Sequence, residues 1–272
     1  TNPCAEEPLP AGGSCLLGAL NLAEFVKNPF TSTAEFDLED FRNAVRIAVN
    51  ALNGVLDEGL PLHPLEEQRE SVANWRQIGL GIMGLADCMI KLNLTYGSAH
   101  ANATCSKIAS VLMNAAIDAT ESRSVEYGAY PMFNGDAVNN SDMMRMLGRS
   151  VTGMNNSQLL TIAPTGSIST MLGVSGGIEP IFANSYTRKT QSLHGEDTYY
   201  KVYTPIVKQY MEKHGLNEEE QLPKHFVVAS DISPSDRIDC QAVWQTYIDA
   251  SISSTINLPN DASVEDVEGI YM

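Results

Sequence analysis

At 272 residues the chain is long enough to bury a sizeable core as one large domain or two small ones, and 43% hydrophobic with 18% charged residues is an ordinary globular balance. Its 33 acidic against 17 basic residues give a formal net charge of −16, which argues against a nucleic-acid surface but leaves a single nucleotide open as a ligand. No run of about 18 apolar residues occurs, so no membrane span is expected, and five cysteines without a CxxC doublet favour a reducing cytoplasm over a disulfide or zinc framework.

The chain opens on Thr1-Asn2-Pro3-Cys4-Ala5-Glu6-Glu7-Pro8-Leu9-Pro10-Ala11-Gly12-Gly13-Ser14-Cys15. Pro3, Pro8 and Pro10 exclude a helix or a central strand, leaving a rigid extended loop. In an extended segment a period of two sends Asn2, Cys4 and Glu6 to one side, which would aim a carboxamide, a thiol and a carboxyl together. The plainer reading is a surface terminus with two structural cysteines. Leu16 to Val26 is apolar enough to form the base of the loop, and Asn28 to Ser32 reads as a turn. Asp37 caps a predicted helix whose Leu38, Phe41, Val45, Ala48, Leu52 and Val55 recur at three- and four-residue spacing, with Glu39, Arg42, Asn43 and Arg46 on a solvated face.

Gly59 to Pro64 is a connection in which His63 reads as a loop residue. The glycines of Gln77 to Ala86 lack the acidic residue and βαβ pattern of a dinucleotide fingerprint, and read as a close approach of two elements. Residues 99 to 127 form a predicted long helix ended by Gly128, and Asp136 to Leu147 a short one with methionines as core filler. Gln158 to Thr170 runs as an apolar strand into Pro164 and a hydroxyl-rich turn, an arrangement that leaves free amides at a helix start and makes an anion site without lysine. Farther on, residues 186 to 198 read as polar, Tyr199 to His214 as a helix, Asn217 to Gln221 as an exposed acidic stretch and Cys240 to Ser251 as another helix. Ser254 to Leu258 is strand-like, and Ser263 to Asp266 a capping box. Cys88, Cys105 and Cys240 read as packing residues. The chain starts inside a loop rich in chemical groups and stops within an apolar-periodic segment, so the expectation is an excised or processed fragment.

Asn2-Pro3-Cys4-Ala5-Glu6, followed by Gly13-Ser14-Cys15-Leu16-Leu17-Gly18-Ala19-Leu20-Asn21-Leu22, resembles the finger loop and following segment of the ribonucleotide reductase catalytic subunit. Ala163-Pro164-Thr165-Gly166-Ser167-Ile168-Ser169, followed by Gly176-Gly177-Ile178-Glu179-Pro180, resembles the substrate-phosphate loop and its neighbour in the same family. The resemblance runs from Thr1 to Met272 and covers about the second half of the family's catalytic barrel, so 1–272 is expected to be a single domain. The implied fold is part of a ten-stranded α/β barrel of two five-stranded halves with the finger loop through its centre. Periodicity alone supports only a mixed α/β or helix-rich domain.

The resemblance implies reduction of ribonucleotides, taken as diphosphates, to deoxyribonucleotides. Cys4 would hold a thiyl radical that abstracts the ribose 3′ hydrogen, Glu6 would act as general base on the 3′ hydroxyl, and Asn2 would orient the substrate. Cys15 matches one member of the reducing cysteine pair, whose partner lies upstream of the finger loop and outside this chain. The amides of Gly166, Ser167, Ile168 and Ser169, with the Thr165 side chain, would hold the substrate phosphate. Adenosylcobalamin is the implied radical source from the wording of both motifs, the alternative being a separate metal-containing small subunit. A thioredoxin- or glutaredoxin-type dithiol reductant and a homodimer of the whole protein are implied as well, and the isolated chain is expected not to turn over. Two other classes remain: a cysteine-nucleophile hydrolase or acyltransferase, disfavoured because no histidine lies in either motif, and a non-catalytic nucleotide-binding module.

Overall fold

The computed structural model describes residues 1–191, 197–217 and 220–272. β1 (Leu17–Asn21) follows the proline-rich opening segment, and a small antiparallel pair, β2 (Val26–Lys27) and β3 (Glu35–Phe36), leads into α1 (Leu38–Gly59). Asp37 caps α1 by accepting from the Asp40 amide at 3.1 Å, and Phe41, Val45 and Leu52 are buried along the expected stripe, while Val55 is exposed. α2 (Glu66–Trp75), β4 (Gly79–Met83) and α3 (Leu85–Lys91) come next, then the long α4 (Ala99–Tyr127), which ends at Gly128 as expected and is capped at its start by Ser98. The single helix expected over Asp136 to Leu147 is two, α5 (Gly135–Asn139) and α6 (Asp142–Leu147). Ser141 divides them by capping the second through the Met144 amide at 3.3 Å.

After α7 (Gly166–Leu172) the expected helix over Tyr199 to His214 is corrected. β5 (Ser185–Gln191) and β6 (Asp197–Tyr203) pair antiparallel from Ser185↔Tyr203 to Gln191↔Asp197, and only α8 (Pro205–His214) is helical. Tyr199, Tyr200, Val202 and Tyr203 favour a strand, and Pro205, with no amide to contribute, suits a first helical position. Residues 192–196 of the predicted polar region and 218–219 of the acidic stretch lie outside the described residues. The last long helix is also displaced from its expected span: α9 is Pro234–Gln245, started by Ser233 accepting from the Asp236 amide at 3.1 Å. The strand expected at Ser254 to Leu258 is instead a short pairing at Ile252, because the neighbouring backbone offers its partners to residues 250–253. α10 (Val264–Tyr271) carries the expected capping box between Ser263 and Asp266.

Four parallel segments make the spine. β1 and β4 pair from Leu17↔Gly79 to Asn21↔Met83, and the row continues through the parallel bridges Leu80↔Leu160 and Ile162↔Ile252. Helix-containing crossovers link successive segments, as parallel neighbours require. Alternation gives the row two unlike faces. Leu80, Ile82, Leu160 and Ile162 are all at most 1% exposed and belong to the core that α1 and α4 complete. On the opposite side Gly79, Gly81 and Thr161 are small, and the opening segment lies against them. A Cβ at Gly79 would collide with Glu7 Oε1, and one at Gly81 with the Thr161 carbonyl oxygen, so the glycines mark close approach as the sequence indicated. The architecture is mixed helix and sheet, with no closed barrel among the described residues.

Candidate active site

The opening segment is not extended at its tip. Asn2 to Ala5 form a turn with Pro3 in its second position, closed by the Ala5 amide donating to the Asn2 carbonyl at 3.1 Å, and Ala5 takes φ of +64°. This corrects the expected period-two alignment of Asn2, Cys4 and Glu6, because a turn rotates successive side chains out of register. The Asn2 carboxamide oxygen accepts from the Glu7 amide at 3.1 Å and so fixes the turn from within. Cys4 is exposed at the turn, while Glu6 is 1% exposed.

Beyond the turn the segment docks on the parallel row through one carbonyl. Glu6 O accepts from Thr161 Oγ1 at 2.7 Å and from the Ser251 amide at 3.0 Å, and Thr161 Oγ1 also contacts Ser251 O at 3.0 Å. This three-way junction places the Glu6 side chain in the protein, where its Oε2 has no hydrogen-bond partner among the described residues. A buried carboxylate oxygen without a donor is costly unless a ligand or a proton satisfies it.

Glu7 was not singled out by the sequence, and it is as buried as Glu6. Its Oε2 accepts from Gln158 Nε2 at 2.7 Å and its Oε1 has no partner among the described residues. Burial pushes its carboxyl up to about 7, against the lowering effect of Gln158 and with further upward pressure from Asp249 and Glu6. Asp249 in turn accepts from the Leu159 and Leu160 amides at 2.9 and 2.7 Å, pinning the start of the third parallel segment. The Cys15 thiol is pushed up by partial desolvation and then by the carboxyls of Glu7 and Glu6, which keeps it protonated and places it within electrostatic reach of both. The doublet Glu6-Glu7 inside a proline-rich segment was the available signal for Glu7. Nothing in the sequence linked it to Gln158, which is distant along the chain.

The segment that holds Glu6 runs straight into the second motif. Thr165 takes φ of +51° at the start of α7, and the amides of Gly166, Ser167 and Ile168 occupy the first turn, ahead of the helix's own hydrogen-bond ladder, at exposed positions. The Ser169 amide is corrected out of the expected donor set, because it donates to the Thr165 carbonyl at 2.9 Å as the first rung of that ladder. Thr165 Oγ1 accepts from the Gly177 amide at 2.8 Å and retains its own proton to donate. Gly176 lies close behind: a Cβ there would be 2.6 Å from the Pro164 carbonyl oxygen. The structure therefore joins the two motifs through Thr161, four positions before Thr165 in the sequence.

The whole chain, residues 1–272, matches the family model "Ribonucleotide reductase, barrel domain". A vitamin B12-dependent ribonucleoside-diphosphate reductase from Thermoplasma acidophilum is 32% identical over 289 residues, a match that covers 100% of this chain and 35% of that protein. A protein of the same description from Mycobacterium tuberculosis is 30% identical over 288 residues, covering 100% of this chain and 39% of its own length. The chain thus spans well under half the length of these relatives. Among solved structures, the Actinobacillus ureae class Id ribonucleotide reductase alpha subunit superposes with a TM-score of 0.73 at 22% identity, covering 98% of this chain and 49% of that one, which is a likeness of fold.

Proposed function

The chain belongs to the ribonucleotide reductase barrel family, and from that premise we propose that the protein of which it forms part reduces ribonucleoside diphosphates to deoxyribonucleotides by a thiyl-radical mechanism. The observation behind this reading is the Thr161 junction, which brings a thiol-bearing turn and a buried carboxyl to the strand that ends in an anion-binding turn. Residues 1–272 act as one domain, the second half of the catalytic barrel.

In this reading the Gly166, Ser167 and Ile168 amides and the Thr165 hydroxyl hold the substrate phosphate, a neutral donor set that suits a strongly acidic chain. Cys4 as a thiyl radical takes the ribose 3′ hydrogen atom. Glu6, whose buried Oε2 lacks a donor among the described residues, accepts the proton of the 3′ hydroxyl. Asn2 has its carboxamide oxygen committed to the Glu7 amide, so its nitrogen is the end left to orient the substrate. The 2′ hydroxyl leaves as water and its place is taken by hydrogen, the two electrons and two protons coming from Cys15 and a second cysteine outside this chain, which together become a disulfide. Cys4 returns the hydrogen atom to C3′ and is a thiyl radical again. A thioredoxin- or glutaredoxin-type dithiol then restores the pair.

Two relatives described as vitamin B12-dependent support adenosylcobalamin as the radical source for Cys4. When bound, that cofactor supplies the radical equivalent that activates Cys4. The whole protein is proposed to act as a homodimer in the cytoplasm, and among the described residues no helix is long and apolar enough to cross a membrane. The deciding experiment is ribonucleotide reduction by the whole protein with adenosylcobalamin, and separately with a metal-containing radical subunit, comparing wild type with Cys4→Ser. Cofactor-supported reduction that vanishes in Cys4→Ser is expected. Reduction only with the subunit would replace the radical source, and Cys4→Ser activity equal to wild type would remove Cys4 from the mechanism.

A further inference from the structure

Behind the phosphate-binding turn a buried charge has no role in the chemistry above. Arg237, on α9, is 3% exposed, and its Nη2 lies 3.2 Å from Glu179 Oε2. As a stabilising element the pair is poorly built: Arg237 Nε, Nη1 and Nη2 are buried without a hydrogen-bond partner among the described residues, and a guanidinium so placed gives up hydration that one ion pair returns only in part. What the pair does have is a position. Glu179 closes a tight turn, its amide donating to the Gly176 carbonyl at 2.8 Å, and its other carboxyl oxygen accepts from the Thr255 amide at 2.8 Å. Tyr96, whose ring lies 5.9 Å from the Arg237 guanidinium carbon, donates its hydroxyl proton to the Ile178 carbonyl in the same turn.

That turn presses directly on the motif. The Gly177 amide donates to Thr165 Oγ1 at 2.8 Å, and neither Gly176 nor Gly177 could carry a Cβ without one approaching the Pro164 carbonyl oxygen to 2.6 Å and the other the Ala163 carbonyl oxygen to 2.9 Å. Contact is therefore continuous from Arg237 through Glu179 and the glycine turn to Thr165, with no slack in which a displacement could be absorbed.

We propose that Arg237 is a positioning residue for the substrate: through Glu179 it sets the place of the Gly176–Ile178 turn, and so the aim of the Thr165 hydroxyl and the following amides at the phosphate. This rests on the reading of that turn as the phosphate site. The test is calorimetric binding of CDP and of cytidine to the whole protein, as wild type, Arg237→Lys, Arg237→Met and Glu179→Gln, with thermal unfolding alongside. Arg237→Met is expected to weaken CDP by about tenfold or more while leaving cytidine unchanged, because misplacement of a small geometric site is felt by the group it holds. Arg237→Lys, which keeps the charge, is expected to recover part of the loss. If Arg237→Met does not fold, the CDP-to-cytidine ratio in Arg237→Lys and Glu179→Gln decides in the same way. Equal losses for both ligands, or no loss, would overturn the proposal by reducing Arg237 to a structural residue. A wild type that binds CDP no better than cytidine would overturn the phosphate reading itself, and this inference with it.

Discussion

The two faces of one parallel row are built from opposite materials. Toward α1 and α4, Leu80, Ile82, Leu160 and Ile162 present branched apolar side chains that are fully buried. Toward the opening segment, Gly79, Gly81 and Thr161 are small, and the space beside them is filled by backbone and by the buried Glu7 carboxyl. The first face lowers the free energy of the fold by removing hydrocarbon from water. The second takes on polar groups whose hydrogen bonding is incomplete, which is affordable only because the first is so well packed. The row is a scaffold whose rigidity on one side supports unsatisfied chemistry on the other.

The largest expected effect lies on the apolar face. Ile82→Ala should lower unfolding stability by about 2–5 kcal/mol, measured by denaturant titration, since it opens a cavity where the wild-type side chain is 0% exposed. A loss under about 1 kcal/mol would contradict the division of labour between the faces.

Glu7→Gln should act in the opposite direction and depend on pH. The folded carboxyl is raised to about 7 from 4.5, so the folded state binds more protons than the unfolded state between those values. Stability therefore falls as pH rises through that window and levels off above it. Replacing Glu7 with an amide that can still accept from Gln158 removes the penalty, stabilising the protein at pH 8 by up to about 3 kcal/mol with little change at pH 4. Melting temperatures that keep the wild-type pH slope in the variant would show that Glu7 is not its source.

Gly81→Ala should cost about 1–3 kcal/mol, because the new Cβ meets backbone that cannot swing aside. A neutral result would mean that the two strands can separate at that point. Thr161→Val should have the smallest effect on stability, about 1 kcal/mol, since Glu6 O keeps the Ser251 amide when the hydroxyl is lost. Backbone hydrogen exchange should then quicken in residues 1–7 more than in α4, and equal protection of both would show that Thr161 does not anchor the segment.

Much of the fold could be read locally. Asp37, Gly128 and Ser263 mark helix ends because a cap's chemistry depends only on its neighbours in sequence, and the stripe Phe41, Val45, Leu52 faces the core because helical period is a local property. The misplacements occurred where local preference was ambiguous: Tyr199 to Tyr203 is a strand by virtue of pairing with β5, and Ile252 rather than Ile256 is the paired residue because Ile162 is beside it.

For the candidate site, sequence alone supplied the residue types and their two clusters, the Asn2, Cys4, Glu6 and Cys15 group and the Thr165 to Ser169 turn, because motif wording is a one-dimensional property. Only the tertiary structure decided which atoms remain available. The turn at Asn2 to Ala5 spends the Asn2 oxygen, the first rung of α7 spends the Ser169 amide, and long-range contacts join Glu7 to Gln158 and Glu6 to Thr161, pairings that no local pattern could reveal. Hydrogen-bond satisfaction and burial are properties of what surrounds a group in space, and a chain acquires them only when distant segments meet.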